Sequence, residues 1–127
     1  MEAMSRRLPA GHEAFGGDLK VLTAPGHVRY PDVLVLSDAP DPAADTVTPA
    51  LVFEGLSAST ALTDLRVKPE EYAAVGSILA YVILPQDDAT DATVLRRAQG
   101  WIPEPVVATL ELPEIGIIIA LDELYGA

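Results

Sequence analysis

The chain has 127 residues, half of them hydrophobic, with nineteen acids against eight bases and a formal net charge of −11. That length suits a single domain, residues 1–127, with a mostly aliphatic core, since aromatic residues make up only 6%. The charge excludes a broadly basic nucleic-acid surface, so any DNA contact must rely on a local cluster. The lack of cysteine excludes disulfides, thiol nucleophiles and cysteine-based zinc sites.

No apolar run reaches the roughly 18–20 residues that a membrane helix needs. Residues 1–17 carry no apolar stretch after Arg6 and Arg7, and they read as a loose arm without a signal peptide. A cytoplasmic setting is the expectation. His12 has no partner at a metal-ligand spacing and reads as a surface histidine. Asp18–Leu22 reads as a short strand, closed by the turn residues Pro25 and Gly26. The turn predicts a hairpin between this strand and the one that follows Asp32, with His27 in the loop. Val33–Leu36 and Leu51–Phe53 are short Val- and Leu-rich runs of the kind that form buried strands. Between them, residues 37–49 read as an exposed loop. Their acids lack the Gly and the closing Glu of a calcium-binding loop.

Each of the two strands carries a carboxylate: Asp32 opens the first and Glu54 closes the second. A carboxylate at the end of a buried strand is costly unless it is solvated, paired or bound to a cation. Two such groups on neighbouring strands would also repel each other. A hard divalent cation resolves both costs. Three of the eight bases, Arg29, Arg66 and Lys68, lie close in sequence to these acids. They either neutralise Asp32, Glu54 and Asp64 or face a substrate.

The hydroxyl residues from Ser57 to Thr60 are of the type that caps helices and closes turns. There is no Gly-x-Ser-x-Gly elbow for a serine nucleophile. Lys68–Leu79 is the best helical segment, with Tyr72, Val75, Gly76 and Leu79 on one face. Lys68 stands on the same seam, four residues before Tyr72. It either runs along the edge of the core or reaches something anionic there. Pro69 suits a first helical position, so Lys68 can also stand just outside the helix. Beyond Ala80 the chain turns strand-rich. Tyr81–Leu84 and Ala92–Ala98 read as strands, Gln99–Gly100 as a tight turn, and Thr109–Leu112 as an edge strand. Ile115–Leu121 reads as fully buried, and Leu121–Tyr125 as a closing helical turn.

The ordered set YPDVLVL, LVFEGLSAST, DLRVKPEEY, LAYVIL and LDELY resembles the Uma restriction endonuclease family, a branch of the PD-(D/E)XK nuclease superfamily. The resemblance covers roughly residues 15–125. It implies an α/β fold with a mixed β-sheet flanked by helices. It also implies that Asp32 and Glu54 bind Mg²⁺ or Mn²⁺, with a backbone carbonyl near Gly55. In many superfamily members the lysine lies two residues after the second acid, where this chain has Leu56. In the family it comes from the following helix, which maps to Lys68, with Tyr72 one turn on. Tyr72, Arg66 and Ser57 stand as supporting residues. The implied activity is hydrolysis of DNA phosphodiester bonds. Family members commonly carry a longer N-terminal region, and a shortened one would leave apolar surface exposed, which favours a homodimer. The alternative is a catalytically inactive nuclease fold acting as a dimerisation or partner-binding module.

Overall fold

A computed structural model describes residues 6–16, 19–38, 43–56, 68–85 and 92–125. Its centre is a mixed six-stranded sheet in the order β1-β4-β5-β6-β7-β8. These strands are β1 (Glu13–Phe15), β4 (Val33–Leu36), β5 (Leu51–Leu56), β6 (Ala80–Pro85), β7 (Ala92–Arg96) and β8 (Glu104–Val106). The strand that follows Asp32 and the strand that contains Glu54 are neighbours: β4 pairs antiparallel with β5, Val33 opposite Phe53. β5 then pairs parallel with β6, Val52 beside Tyr81 and Glu54 beside Ile83. A parallel pair needs a crossover, and that crossover carries the helix α1 (Lys68–Ala73).

Strand periodicity assigns the two faces. Leu51, Phe53, Val82, Leu84 and Val94 point to one side. There they pack with Leu110, Leu112, Ile117, Ile119 and Leu121. Those residues come from the hairpin β9 (Thr109–Leu112) and β10 (Ile117–Ala120) and from the short helix α2 (Leu121–Tyr125). Val52, Tyr81, Ile83 and Leu95 point to the other side and pack with Tyr72 and Ile78. The α1 helix therefore lies on the sheet face that Glu54 shares.

Helices contribute less than the sequence suggests. The apolar seam predicts a helix through Leu79, yet α1 stops at Ala73. Val75 and Ile78 donate their N–H groups only three residues back, to Tyr72 and Val75. Gly76 follows, with its low helical propensity, and the chain must come level with Ala50 to start β6, where the Leu79 N–H meets the Ala50 carbonyl. The domain is strand-dominated, with α1 and α2 as its helices of note among the described residues.

Four further expectations need correction. The Pro25–Gly26 turn does close a hairpin, with Gly26 at φ +78°, but it joins β2 (Val21–Ala24) to β3 (His27–Arg29). It does not join the Asp32 strand. Pro31 has no N–H to donate, and beyond it the chain moves to the main sheet. His27 is thus a strand residue. The supposed loose arm contains β1, whose Glu13–Phe15 pairs antiparallel with Leu36–Leu34. The strand expected over Ala92–Ala98 gives way to a 3₁₀ turn at Arg97–Gln99, ended by Gly100 at φ +72°. Finally, β10 is not fully buried. Ile117 and Ile119 face the core while Ile118 is 59% exposed, because a hairpin laid on a sheet buries one side only. No helix among the described residues is long and apolar enough to cross a membrane.

Candidate active site

Glu54 is the most deeply buried carboxylate among the described residues, at 6% exposure. It is there because it alternates with Phe53 along β5. The apolar Phe53 takes one face and Glu54 falls on the side of α1. Burial of a charge is tolerated only with partners, and Glu54 has three. The Tyr72 hydroxyl donates to Oε1 at 3.2 Å. The Tyr81 hydroxyl donates to Oε2 at 2.8 Å. The Lys68 Nζ lies 2.9 Å from the same Oε2. Tyr81 sits beside Val52 in the parallel register, so its hydroxyl reaches two residues along the face to Glu54. The two tyrosine rings meet edge to face, 5.0 Å between centroids.

Asp32 lies one step beyond the Val33–Phe53 pair, and the register carries it to the level of Glu54 and Gly55. Its carboxylate is exposed, and its Oδ2 accepts the Gly55 N–H at 2.7 Å. A side chain at position 55 would sit 3.5 Å from that oxygen and 3.7 Å from the Leu84 carbonyl, in ordinary contact.

Lys68 and Tyr72 reach Glu54 together because positions i and i+4 share a helix face. Of the two readings of Lys68, an anionic partner is the one observed. Burial, with the Glu54 charge beside it, pushes the Tyr72 hydroxyl pKa far up. The phenol therefore stays protonated and acts as a donor. Arg29 does not neutralise Asp32 or Glu54. Its Nε and Nη2 fork onto Glu71 at 2.6 and 2.8 Å. That bond holds the Glu71 carboxyl below its ordinary range and raises Arg29 further.

Of the residues proposed from sequence, Lys68 and Tyr72 meet Glu54, and Asp32 meets the Gly55 N–H. Ser57, Arg66 and Asp64 lie outside the described residues. Sequence reasoning missed Tyr81 as a Glu54 partner. The available signal was a tyrosine beside an otherwise aliphatic run, Tyr81-Val82-Ile83-Leu84, since a buried tyrosine hydroxyl needs an acceptor. The Arg29–Glu71 fork was missed as well, and 42 positions separate its members.

The donors on offer to a cation are all oxygens: two carboxylates and nearby backbone carbonyls. Among the described residues no group of three or more His, Asp or Glu is arranged to hold a metal. Two carboxylates suffice for Mg²⁺, which keeps several of its waters. A carboxylate offers about four acceptor positions. Glu54 engages three, leaving room on Oε1, and Asp32 engages one.

The chain matches the family model Uma2, described as "Putative restriction endonuclease", over residues 2–121. A comparison with curated proteins gave no match. Among solved structures it is similar to a putative nuclease belonging to DUF820 from Anabaena variabilis ATCC 29413. The TM-score is 0.68 at 19% identity, over 97% of this chain and 71% of that one. That likeness carries the fold alone, over nearly every residue here. With the family match spanning residues 2–121 of 127, the protein belongs to the Uma2 family.

Proposed function

We propose that this protein is a divalent-metal-dependent endonuclease that hydrolyses phosphodiester bonds in DNA. Asp32 and Glu54 are its metal-binding acids and Lys68 its catalytic cation. The observation that carries this reading is the meeting of Lys68 with the buried Glu54, next to an Asp32 carboxylate fixed by the Gly55 N–H. The oxygen-only donor set fits Mg²⁺ or Mn²⁺. Such an ion, when bound, supplies a water of lowered pKa and polarises a phosphoryl oxygen. The chain's own residues do the rest. Tyr72 and Tyr81 hold the Glu54 carboxylate in one orientation. The Gly55 N–H does the same for Asp32. Lys68 carries three ammonium donors and lies against Glu54. It orients the attacking water and stabilises charge on the phosphate as it develops.

A second reading, an inactive nuclease fold used for assembly or partner binding, draws support from the net charge of −11. A homodimer also belongs to the proposal. Leu22 and Val28 are cross-strand partners on β2 and β3, and with Tyr30 they are 47%, 41% and 54% exposed. Light scattering that finds only monomer at micromolar concentration rejects the dimer. The main test is a Mg²⁺ and Mn²⁺ titration with a DNA cleavage assay at low salt, wild type against Asp32→Ala. Metal binding and cleavage that both vanish in the variant support the enzyme. Metal binding without cleavage in the wild type favours the inactive module.

A further inference from the structure

Arg29 has one side of its guanidinium engaged and the other side available. Nε and Nη2 are held by Glu71, while Nη1 meets no acceptor among the described residues. The side chain is 38% exposed. Glu71 stands three residues after Lys68, on the same side of α1. The Lys68 ammonium in turn lies on Glu54. Four charges of alternating sign thus run from the β2–β3 hairpin across α1 to the sheet: Arg29, Glu71, Lys68, Glu54. The Glu54 charge bears on Arg29, and the Lys68 charge on Glu71. Two of the chain's eight basic residues thus lie in one run with Glu54, and of the two Arg29 is the more exposed.

From this geometry we propose that Arg29 is a DNA-binding residue which grips a backbone phosphate next to the one undergoing cleavage. The proposal rests on the nuclease reading above and adds to it the residue that holds the flanking strand. A guanidinium presents five donors in a fixed fork and suits phosphate oxygens better than an ammonium does. Glu71 fixes the plane of that fork through two bonds, so the phosphate meets an oriented donor pair. Lys68, a compact charge on a flexible stem, is the residue that the nuclease reading assigns to the reacting phosphate. Glu71 also places a negative charge near the incoming strand. It therefore orients Arg29 and weakens binding at the same time.

The test is fluorescence anisotropy of labelled duplex and single-stranded DNA with the full chain in Ca²⁺, over a salt series from about 50 to about 200 mM. Arg29→Ala is expected to bind more weakly and to flatten the plot of log affinity against log salt. The slope should fall by about 0.9 for duplex or about 0.7 for single strands, as for one lost phosphate contact. Arg29→Lys should keep the slope and lose part of the affinity. Glu71→Gln should bind more tightly than wild type. Both Arg29→Ala and Glu71→Gln break the same ion pair. A purely structural pair would therefore move binding in the same direction in both variants, and that result overturns the proposal. An unchanged slope in Arg29→Ala overturns it too, and leaves the nuclease reading standing. A wild type that binds no DNA at low salt removes the nuclease reading and this inference together.

Discussion

Tyr81 and Lys68 share one oxygen of Glu54: the hydroxyl donates to Oε2 at 2.8 Å and the ammonium lies 2.9 Å from it. One donor comes from the neighbouring parallel strand and the other from the crossover helix between the two strands. The carboxylate thereby ties together three successive elements, β5, α1 and β6. Tyr81 is fully buried, so its hydroxyl bonds within the protein rather than to bulk water.

Tyr81→Phe removes that hydroxyl and keeps the ring that Tyr72 meets edge to face. A hydrogen bond to a charged group contributes about 1.5–3 kcal/mol. The variant is expected to lose that much in urea-induced unfolding, with its far-UV circular dichroism unchanged. A loss below about 0.5 kcal/mol would mean that Lys68 and Tyr72 alone hold Glu54, and the account of this site would be wrong.

Metal binding and chemistry should separate in three variants. Asp32→Ala and Glu54→Ala should each abolish Mg²⁺ binding measured by calorimetry, because such a site rests on one or two carboxylates. Lys68→Ala should still bind the ion, since an ammonium is not a ligand, and should lose cleavage. Lys68 is nearly as enclosed as Glu54, at 18% and 7% side-chain exposure. Removing one member of a buried pair costs about 3–5 kcal/mol. The two tyrosines still serve Glu54, so the lower end of that range is expected. If Lys68→Ala cleaves at the wild-type rate, the lysine has no catalytic part.

Which features could be read from the sequence follows from how local their causes are. Val33–Leu36 and Leu51–Phe53 declare themselves as strands through composition alone, and strands consecutive in sequence are commonly neighbours. Lys68 and Tyr72 fall on one helix face by spacing. The Tyr81–Glu54 bond depends on the parallel register between β5 and β6, and no local pattern encodes that register. The end of α1 at Ala73 depends on where β6 must begin and on Arg97, whose guanidinium donates to the carbonyls of Ala73, Val75 and Ile78 from another strand's end. The run Ile117-Ile118-Ile119 defeats periodicity altogether, because three identical side chains carry no alternation.

That run gives a clean test of the corrected burial. Ile119 is 1% exposed and packs on the sheet, whereas Ile118 is 59% exposed. Ile119→Ala should cost about 2–5 kcal/mol, as for buried Ile-to-Ala changes generally. Ile118→Ala should stay within about 0.5 kcal/mol of wild type. Equal losses at both positions, measured by chemical denaturation, would return β10 to the fully buried strand that its sequence suggests.

The Arg29–Glu71 fork makes a prediction about pH. Its hydrogen bonds hold the folded Glu71 carboxyl below the ordinary value of 4.5, and Arg29 stays charged throughout. Between the folded and unfolded values, the unfolded chain binds more protons at Glu71 than the folded one does. Stability therefore rises with pH across that window. The contribution is fully present above about pH 4.5 and is lost as pH falls through the lower folded value. Side-chain exposures of 38% for Arg29 and 23% for Glu71 allow solvent to screen the pair, so its worth at neutral pH is at most about 1 kcal/mol. Thermal unfolding of wild type and Glu71→Gln should differ by that amount near pH 7. The gap should narrow in higher salt and close as the carboxyl is protonated in acid. Glu71→Gln keeps the side-chain shape and removes only the titrating charge, so a gap that persists undiminished at about pH 2 would mean the loss came from packing instead.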